Sequence, residues 1–383
     1  MVADDDLLRT LRALADGRKT RGDNMLILRP DPTSQEQFEP QDAFESGVEQ
    51  GLVLEPYENA PFEIQALVPR QKSVMIKAYC DGIRSTYSLG YEDIYPILYT
   101  RNASAVRTRE SATGFHTSMY HFQRNQATLL APFDLFPSSI RGAYERLKLY
   151  SHRLADLCWT GSESEEYGPT PSDMLKMGNL AWQSRARRRA RHLLDLSEQV
   201  TSMAGARLLR EQDRTGTNWL LKDGSLFQFK REYLHQPELL RNIVSCVKTH
   251  PVPFFSVEGE RKTMQLEVGQ RSVAFLPRPS REAQQKCTLE QADRPMVSWY
   301  LRVRPPNLHS SNHMSGIVRL DIAAFTDWQL WVDELSWAIL DEFYGISAMP
   351  DPRYDVMPFG IYDCEQFLKA QQLPGELLLA QLR

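Results

Sequence analysis

Residues 218–229, NWLLKDGSLFQF, place an acid between two apolar runs of strand character, with a glycine directly behind it. A carboxylate at the end of a buried strand is costly to desolvate unless a cation, hydrogen-bond donors or a metal ion faces it. Asp223 is therefore a candidate site residue. Read alone, two short strands joined by Asp-Gly make a hairpin. A second stretch argues for more, because AYCDG at 78–82 also ends an apolar strand in Asp-Gly, at Asp81. Two strands that finish at one sheet edge bring their terminal acids together, and a glycine behind each lets backbone or ligand approach. Carboxylates so clustered repel one another, and a hard divalent cation with oxygen ligands, Mg2+ or Mn2+, offsets that repulsion.

Around these acids the chain alternates between strand and helix. VMIKAYC from Val74 reads as a strand, DG as its stop, and STYSLGYEDIYPILYTRNASAVR as further strands and turns. A helical insertion over 136–205 follows. It comprises SSIRGAYERLKLYSHRLADLCW and then a longer helix whose start suits Pro171 and Ser172 and whose end suits Gly205. Strands return as NWLL, SLFQF, IVSCVK, PFFSV, MVSWYLRV and SGIVRLDI before two closing helices. The expected fold class is α/β, a mixed sheet flanked by helices over 71–383, preceded by an N-terminal arm or cap over 1–70.

Composition bounds the function classes. The 383 residues are 42% hydrophobic, enough for a substantial core. A net charge of −4 conceals 45 basic and 49 acidic side chains, so contact with a polyanion must come from local basic patches. The five cysteines are widely spaced without a C-x-x-C pair, which suits a reducing compartment. An acidic opening and the lack of any apolar run near the roughly 18 residues of a membrane span lead to the expectation of a cytoplasmic protein with no membrane. His309 and His313 are four apart but lie in loop-like sequence, so a zinc pair is not expected, and no nucleotide-binding phosphate loop appears.

A metal site needs further acids. Glu198 lies one helical turn after Leu194, and Glu365 follows Ile361 by four residues, so each borders an apolar helix face. For both, the competing reading is a solvated helical glutamate. A basic run, SRARRRAR, precedes Glu198 with Arg185, Arg187, Arg188, Arg189 and Arg191. Helical spacing brings Arg185, Arg188 and Arg189 to one side, where they would bind a phosphate backbone running toward the acids. The competing reading is a solvated basic face. Trp182, Phe227 and Phe229 read as core residues before base-stacking ones.

In this order the pieces resemble the NurA nuclease family, over roughly residues 70–383. LLKDGSL reproduces a family motif, Asp-Gly-Ser-Leu after an apolar strand, at Asp223, Gly224, Ser225 and Leu226. IKAYCDGIRS matches a strand ending Asp-Gly-Ser through Asp81 and Gly82, with Ile83 where serine is usual. Glu198 is the best match to a helical acid upstream of the central strand, with Glu211 the alternative. SCVK places Lys248 at a position suited to meeting phosphate, the competing reading being a solvated strand-end lysine, and GIVRLDI resembles a family strand through Arg319 and Asp321. PFGIYDCE matches the closing motif through Pro358, Ile361 and Cys364, with Glu365 in the place of His or Asp. Glutamate is a competent oxygen ligand but cannot act as a neutral imidazole.

The resemblance implies a ribonuclease H-like core and a two-metal-ion DNA nuclease, exonuclease and/or endonuclease. Asp81, Glu198, Asp223 and Glu365 would hold Mn2+ or Mg2+. It also implies a homodimer docked on a HerA-type hexameric ATPase in DNA end processing, repair or phage defence. Two other classes compete with it: a DNA-binding scaffold subunit whose site has decayed at Ile83 and Glu365, and phosphoryl transfer on an actin-like fold, which also uses Asp-Gly strand turns.

Overall fold

The computed structural model describes residues 29–30, 52–53, 64–71, 74–92, 95–109, 117–136, 154–157, 176–213, 215–248, 257–277, 295–306, 314–343 and 356–371. Three short strands, β1 (Arg29–Pro30), β2 (Leu52–Val53) and β3 (Ile64–Ala66), precede a long meander of β4 (Met75–Glu92), β5 (Tyr95–Arg109) and β6 (Thr117–Ala131). Next come β7 (Leu154–Asp156), helix α1 (Asn179–Gln212), β8 (Asn218–Asp223), the short helix α2 (Arg231–Leu234) and β9 (Ile243–Val247). Helix α3 (Val257–Met264) leads to β10 (Gln270–Ser272), β11 (Phe275–Leu276), β12 (Met296–Arg302) and β13 (Ile317–Ala323). Helices α4 (Gln329–Phe343) and α5 (Phe359–Ala370) follow.

All these strands join one open, mixed sheet with a main path β2-β11-β12-β13-β9-β8-β4-β5-β6-β7. Pairing is parallel for β4 with β8, β8 with β9 and β6 with β7, and antiparallel for the rest. The fold is thus α/β, as the alternation of strand and helix predicts. β12 and β13 are buried at every position, as expected of strands deep in the core. Trp219 of β8 anchors α4 beneath the sheet, its ring centroid 5.2 Å from that of Trp331.

The two faces of β4 meet different helices, and this separation organises the site. Cys80 and Gly82 face α1, where the Cys80 thiol lies 4.0 Å from the Glu198 carbonyl and Gly82 lies under the Glu198 side chain. Tyr79 and Ile83 face the opposite side, Tyr79 donating to Glu342 of α4 at 2.8 Å and Ile83 packing with Cys364 and Leu368 of α5. Strand alternation puts Asp81 on that second face. α1 approaches the sheet closely because its inward stripe is small: Ala186, Ala190, Ser197, Thr201, Gly205 and Ala206 are all buried. Ser104 of β5 bonds Ser197 at 2.6 Å and Thr201 at 2.8 Å across this contact.

Several expectations need correction. Asp81-Gly82 does not stop its strand, because β4 runs on to Glu92 paired with β5, with a register shift between Ser88 and Gly90; only its parallel pairing with β8 ends there. Gly205 does not end α1, which continues to Gln212. A Cβ at Gly205 would lie 2.9 Å from methyls of Leu220 and Val106, so the glycine admits the sheet rather than terminating the helix. The helix ends where Asp213 accepts from the amides of Thr215, Thr217 and Asn218, a turn that feeds directly into β8. Within the insertion expected to be helical, Leu154–Asp156 is a strand paired with β6. Three short stretches of the expected N-terminal arm enter the sheet as β1, β2 and β3, paired with β4, β11 and β10.

Gly360 sets how closely α5 approaches β4, since a Cβ there would overlap the Tyr79 ring, itself held by Glu342. Gly360→Ala is expected to cost about 1–3 kcal/mol by overpacking. This reads as a lower urea midpoint with an unchanged slope, and an unchanged midpoint would contradict the contact.

Candidate functional site

The parallel register of β4 and β8 sets Cys80 opposite Lys222, so the next residue on each strand is an aspartate. Asp81 and Asp223 therefore sit side by side on the face of α4 and α5. Just past Asp223, β8 turns away: Gly224 adopts φ +75° and its amide donates to the Cys246 carbonyl at 3.1 Å. A side chain is strained in that conformation, which accounts for glycine at this position. Burial lifts the Asp81 carboxyl well above its usual range, and the Asp223 charge adds to this; Lys248 pulls it down and Glu198 pushes it up. The amide of Gly82 donates to Asp81 at 2.7 Å. Lys248, just beyond β9, reaches Asp223 at 2.8 Å. Burial disfavours its charge, but Asp223 and Asp81 outweigh that and hold the ammonium protonated.

On the opposite face Glu198 meets Lys222 at 2.8 Å. The Lys222 side chain is 1% exposed and its ammonium also donates to the Asp223 carbonyl at 2.5 Å. Burial works against that ammonium, but the Glu198 carboxylate overrides it and raises its affinity for the proton. Glu198 lies so close over β4 that a Cβ on Gly82 would meet its carboxylate oxygen at less than van der Waals separation. Gly82 is thus required by a side chain remote in sequence. One turn before Glu198, Asp195 is pushed up to about 7 by burial and by Glu198, against the pull of Arg191 and Lys222.

The remaining predicted residues fall in varied places. Glu365 is buried on α5 next to Cys364, whose thiol lies 3.3 Å from the Ala105 carbonyl opposite Asp81. One Glu365 oxygen meets Lys369 at 2.5 Å, and the other is buried without a hydrogen-bond partner among the described residues. The charges acting most on Asp81 are Asp223, Lys248 and Glu198. Glu211, the alternative acid, is exposed near the end of α1 and pairs with Arg207. Asp321 is fully buried and accepts from Arg319, Ser225, Ser245 and Ser298. Burial disfavours its charge, yet Arg319 and the hydroxyls hold it below the usual carboxylate range. It locks the Ser225 turn to β13 instead of offering a ligand oxygen.

The basic run divides in two. Arg185 is buried, its guanidinium on the Leu157 carbonyl at 2.5 Å, which corrects its placement on a polymer-binding side. Arg188 and Arg191 are exposed, and Arg187 and Arg189 are half-buried. Trp182 and Phe229 are core, as expected. Lys248 is committed to Asp223 rather than left free for phosphate. His309 and His313 lie outside the described residues.

The donor set is all oxygen, which suits a hard cation. Among the described residues, however, no three Asp, Glu, His or Cys side chains converge as the ligands of one ion. Lys222 and Lys248 stand against the acids in this arrangement. Sequence reasoning missed both Lys222 and Asp195. A lysine directly behind the apolar run Trp219–Leu221 of a strand is the signal that could have revealed the first, since a buried ammonium demands an acid.

The chain matches no known protein-family model and no curated protein at a significant level. Among the described residues, no helix is long and apolar enough to cross a membrane.

Asp195 supplies a test of the electrostatics. Its carboxyl is raised from 3.8 to about 7, so the folded state binds the extra proton. Stability should therefore fall as pH rises from about 4 through 7. Asp195→Asn removes this slope, raising stability at pH 8 by about 4 kcal/mol while leaving it unchanged near pH 4. A difference independent of pH, measured by urea unfolding, would contradict the assignment.

Proposed function

We propose that the chain is a metal-dependent DNA nuclease with a ribonuclease H-like core, in which Asp81 and Asp223 bind Mn2+ or Mg2+ and Glu198 and Glu365 flank them. The observation that carries this reading is the alignment of two carboxyls, Asp81 buried and Asp223 partly exposed, at the end of the parallel β4–β8 pairing. The strand order β6-β5-β4-β8-β9, a meander followed by two parallel strands, supports the resemblance in fold. A divalent cation, when bound, activates water and steadies the leaving oxygen of a phosphodiester. The chain's own part is to hold Asp81 and Asp223 together and, through Lys248, to neutralise Asp223 until an ion takes its place. Lys248, once displaced, is free to meet a phosphate oxygen.

Exposed Arg188 and Arg191 would lead the DNA backbone along α1. In this reading the protein acts as a cytoplasmic homodimer with a HerA-type ATPase, which supplies the motor that the sequence lacks.

Nuclease assays on single- and double-stranded DNA with Mn2+ test the proposal. Asp223→Asn should lose about 100-fold or more of the activity, and equal activity in both proteins would remove the proposed role. The double variant Arg188→Ala, Arg191→Ala should weaken DNA binding and reduce the salt-dependence slope by about 2. A slope unchanged in fluorescence anisotropy titrations would place the interface elsewhere.

One observation favours the scaffold reading instead: Glu198 and Asp223 already have ammonium partners in Lys222 and Lys248. A scaffold would bind DNA and take up no Mn2+ in calorimetry.

A further inference from the structure

Building on the nuclease reading above, we propose that the buried Lys222 ammonium stands in for one of two cations, so that the site takes a single divalent ion through Asp81 and Asp223. A pair of divalent ions needs three or four carboxylates free to face them. Here Glu198 is engaged by Lys222 at 2.8 Å on the α1 face, while Asp81 and Asp223 lie on the other.

The two lysines differ in whether they can yield. The side chain of Lys248 is 15% exposed and sits at the rim, where an incoming cation can displace it from Asp223. Lys222 is 1% exposed, spans from Glu198 to the Asp223 carbonyl, and lies over the Phe229 ring at 5.9 Å. Moving it would strand a buried carboxylate and a buried ammonium together, each costly to leave unpaired.

Charge balance points the same way. Asp81, Asp223 and Glu198 are neutralised by Lys222 and one divalent ion once Lys248 has left, with the Asp195 charge set against that of Arg191 one turn before it. A second divalent ion would leave excess positive charge in a buried site. Glu365 does not alter the count, because Lys369 pairs with it. Lys222 cannot touch substrate from its enclosed position, so it is a positioning residue: it holds Glu198 over Gly82 and fixes the carbonyl of Asp223.

Counting Mn2+ bound per chain tests this, using the electron paramagnetic resonance signal of free Mn2+ titrated with the full-length protein in the absence of DNA. The wild type should bind one ion, and Asp223→Asn should weaken that ion at least about tenfold. Lys222→Gln leaves Glu198 without its counter-charge and should bind two ions; Lys222→Gln with Glu198→Gln should return to one. Two ions on the wild type would overturn the proposal and leave the nuclease reading standing. No ion would overturn both. A folded Lys222→Gln protein that still binds one ion with unchanged affinity would also overturn it. If that variant does not fold, the wild-type count and the double variant decide, two ions on either being the contrary result.

Discussion

The repulsion between Asp81 and Asp223 is the constraint around which the rest of the site is arranged. Parallel pairing of β4 with β8, with Cys80 opposite Lys222, leaves these two carboxyls adjacent on a face covered by α4 and α5. Asp81 is buried and water cannot disperse its charge, so the protein must supply positive groups or keep a proton. It does both: Lys248 pairs with Asp223, and Asp81 keeps its proton well above the pH at which a free aspartate loses it. The turn that carries Asp223 is itself anchored, since Ser225 bonds Asp321, whose charge Arg319 balances. A change at β13 would thus reach the site through one hydroxyl.

Much of the architecture is legible in the sequence because it rests on local signals. The alternation and apolar runs of β8, β9, β12 and β13 mark strands, and the spacing in α4 and α5 marks helices. The two Asp-Gly pairs mark the site, and each residue of KDGSL has a traceable duty: Lys222 and Asp223 carry charge, Gly224 the left-handed turn, Ser225 the anchor and Leu226 the core. What escapes local reading depends on tertiary approach. Gly82 looks like a strand stop but makes room for Glu198, and Gly205 looks like a helix end but makes room for Leu220 and Val106. Arg185 follows Trp182 by three and precedes Ala186, so it shares the inward stripe, yet charge alone suggested the outside.

The acids of the sheet's two faces act on each other across β4. Glu198 raises the Asp81 carboxyl even though it reaches β4 from the side of α1. Lys222 answers Glu198 from the neighbouring strand, and its ammonium reaches the carbonyl of Asp223. Each face therefore holds one acid–ammonium pair, Glu198 with Lys222 sealed and Asp223 with Lys248 at the rim. In the nuclease reading this inequality gives the site its order of events: the rim ammonium yields to an ion, while the sealed one keeps the strands in register.

A double-mutant cycle between Asp81 and Asp223 tests the central claim most directly, with unfolding free energies measured at pH 8 in chelator for the wild type, Asp81→Asn, Asp223→Asn and the double variant. Two carboxyls sharing one site predict strong non-additivity: Asp81→Asn should stabilise the protein by at least about 1 kcal/mol more when Asp223 is present than when it is asparagine. Additivity within about 0.3 kcal/mol would mean that the two acids do not meet, and would contradict the account.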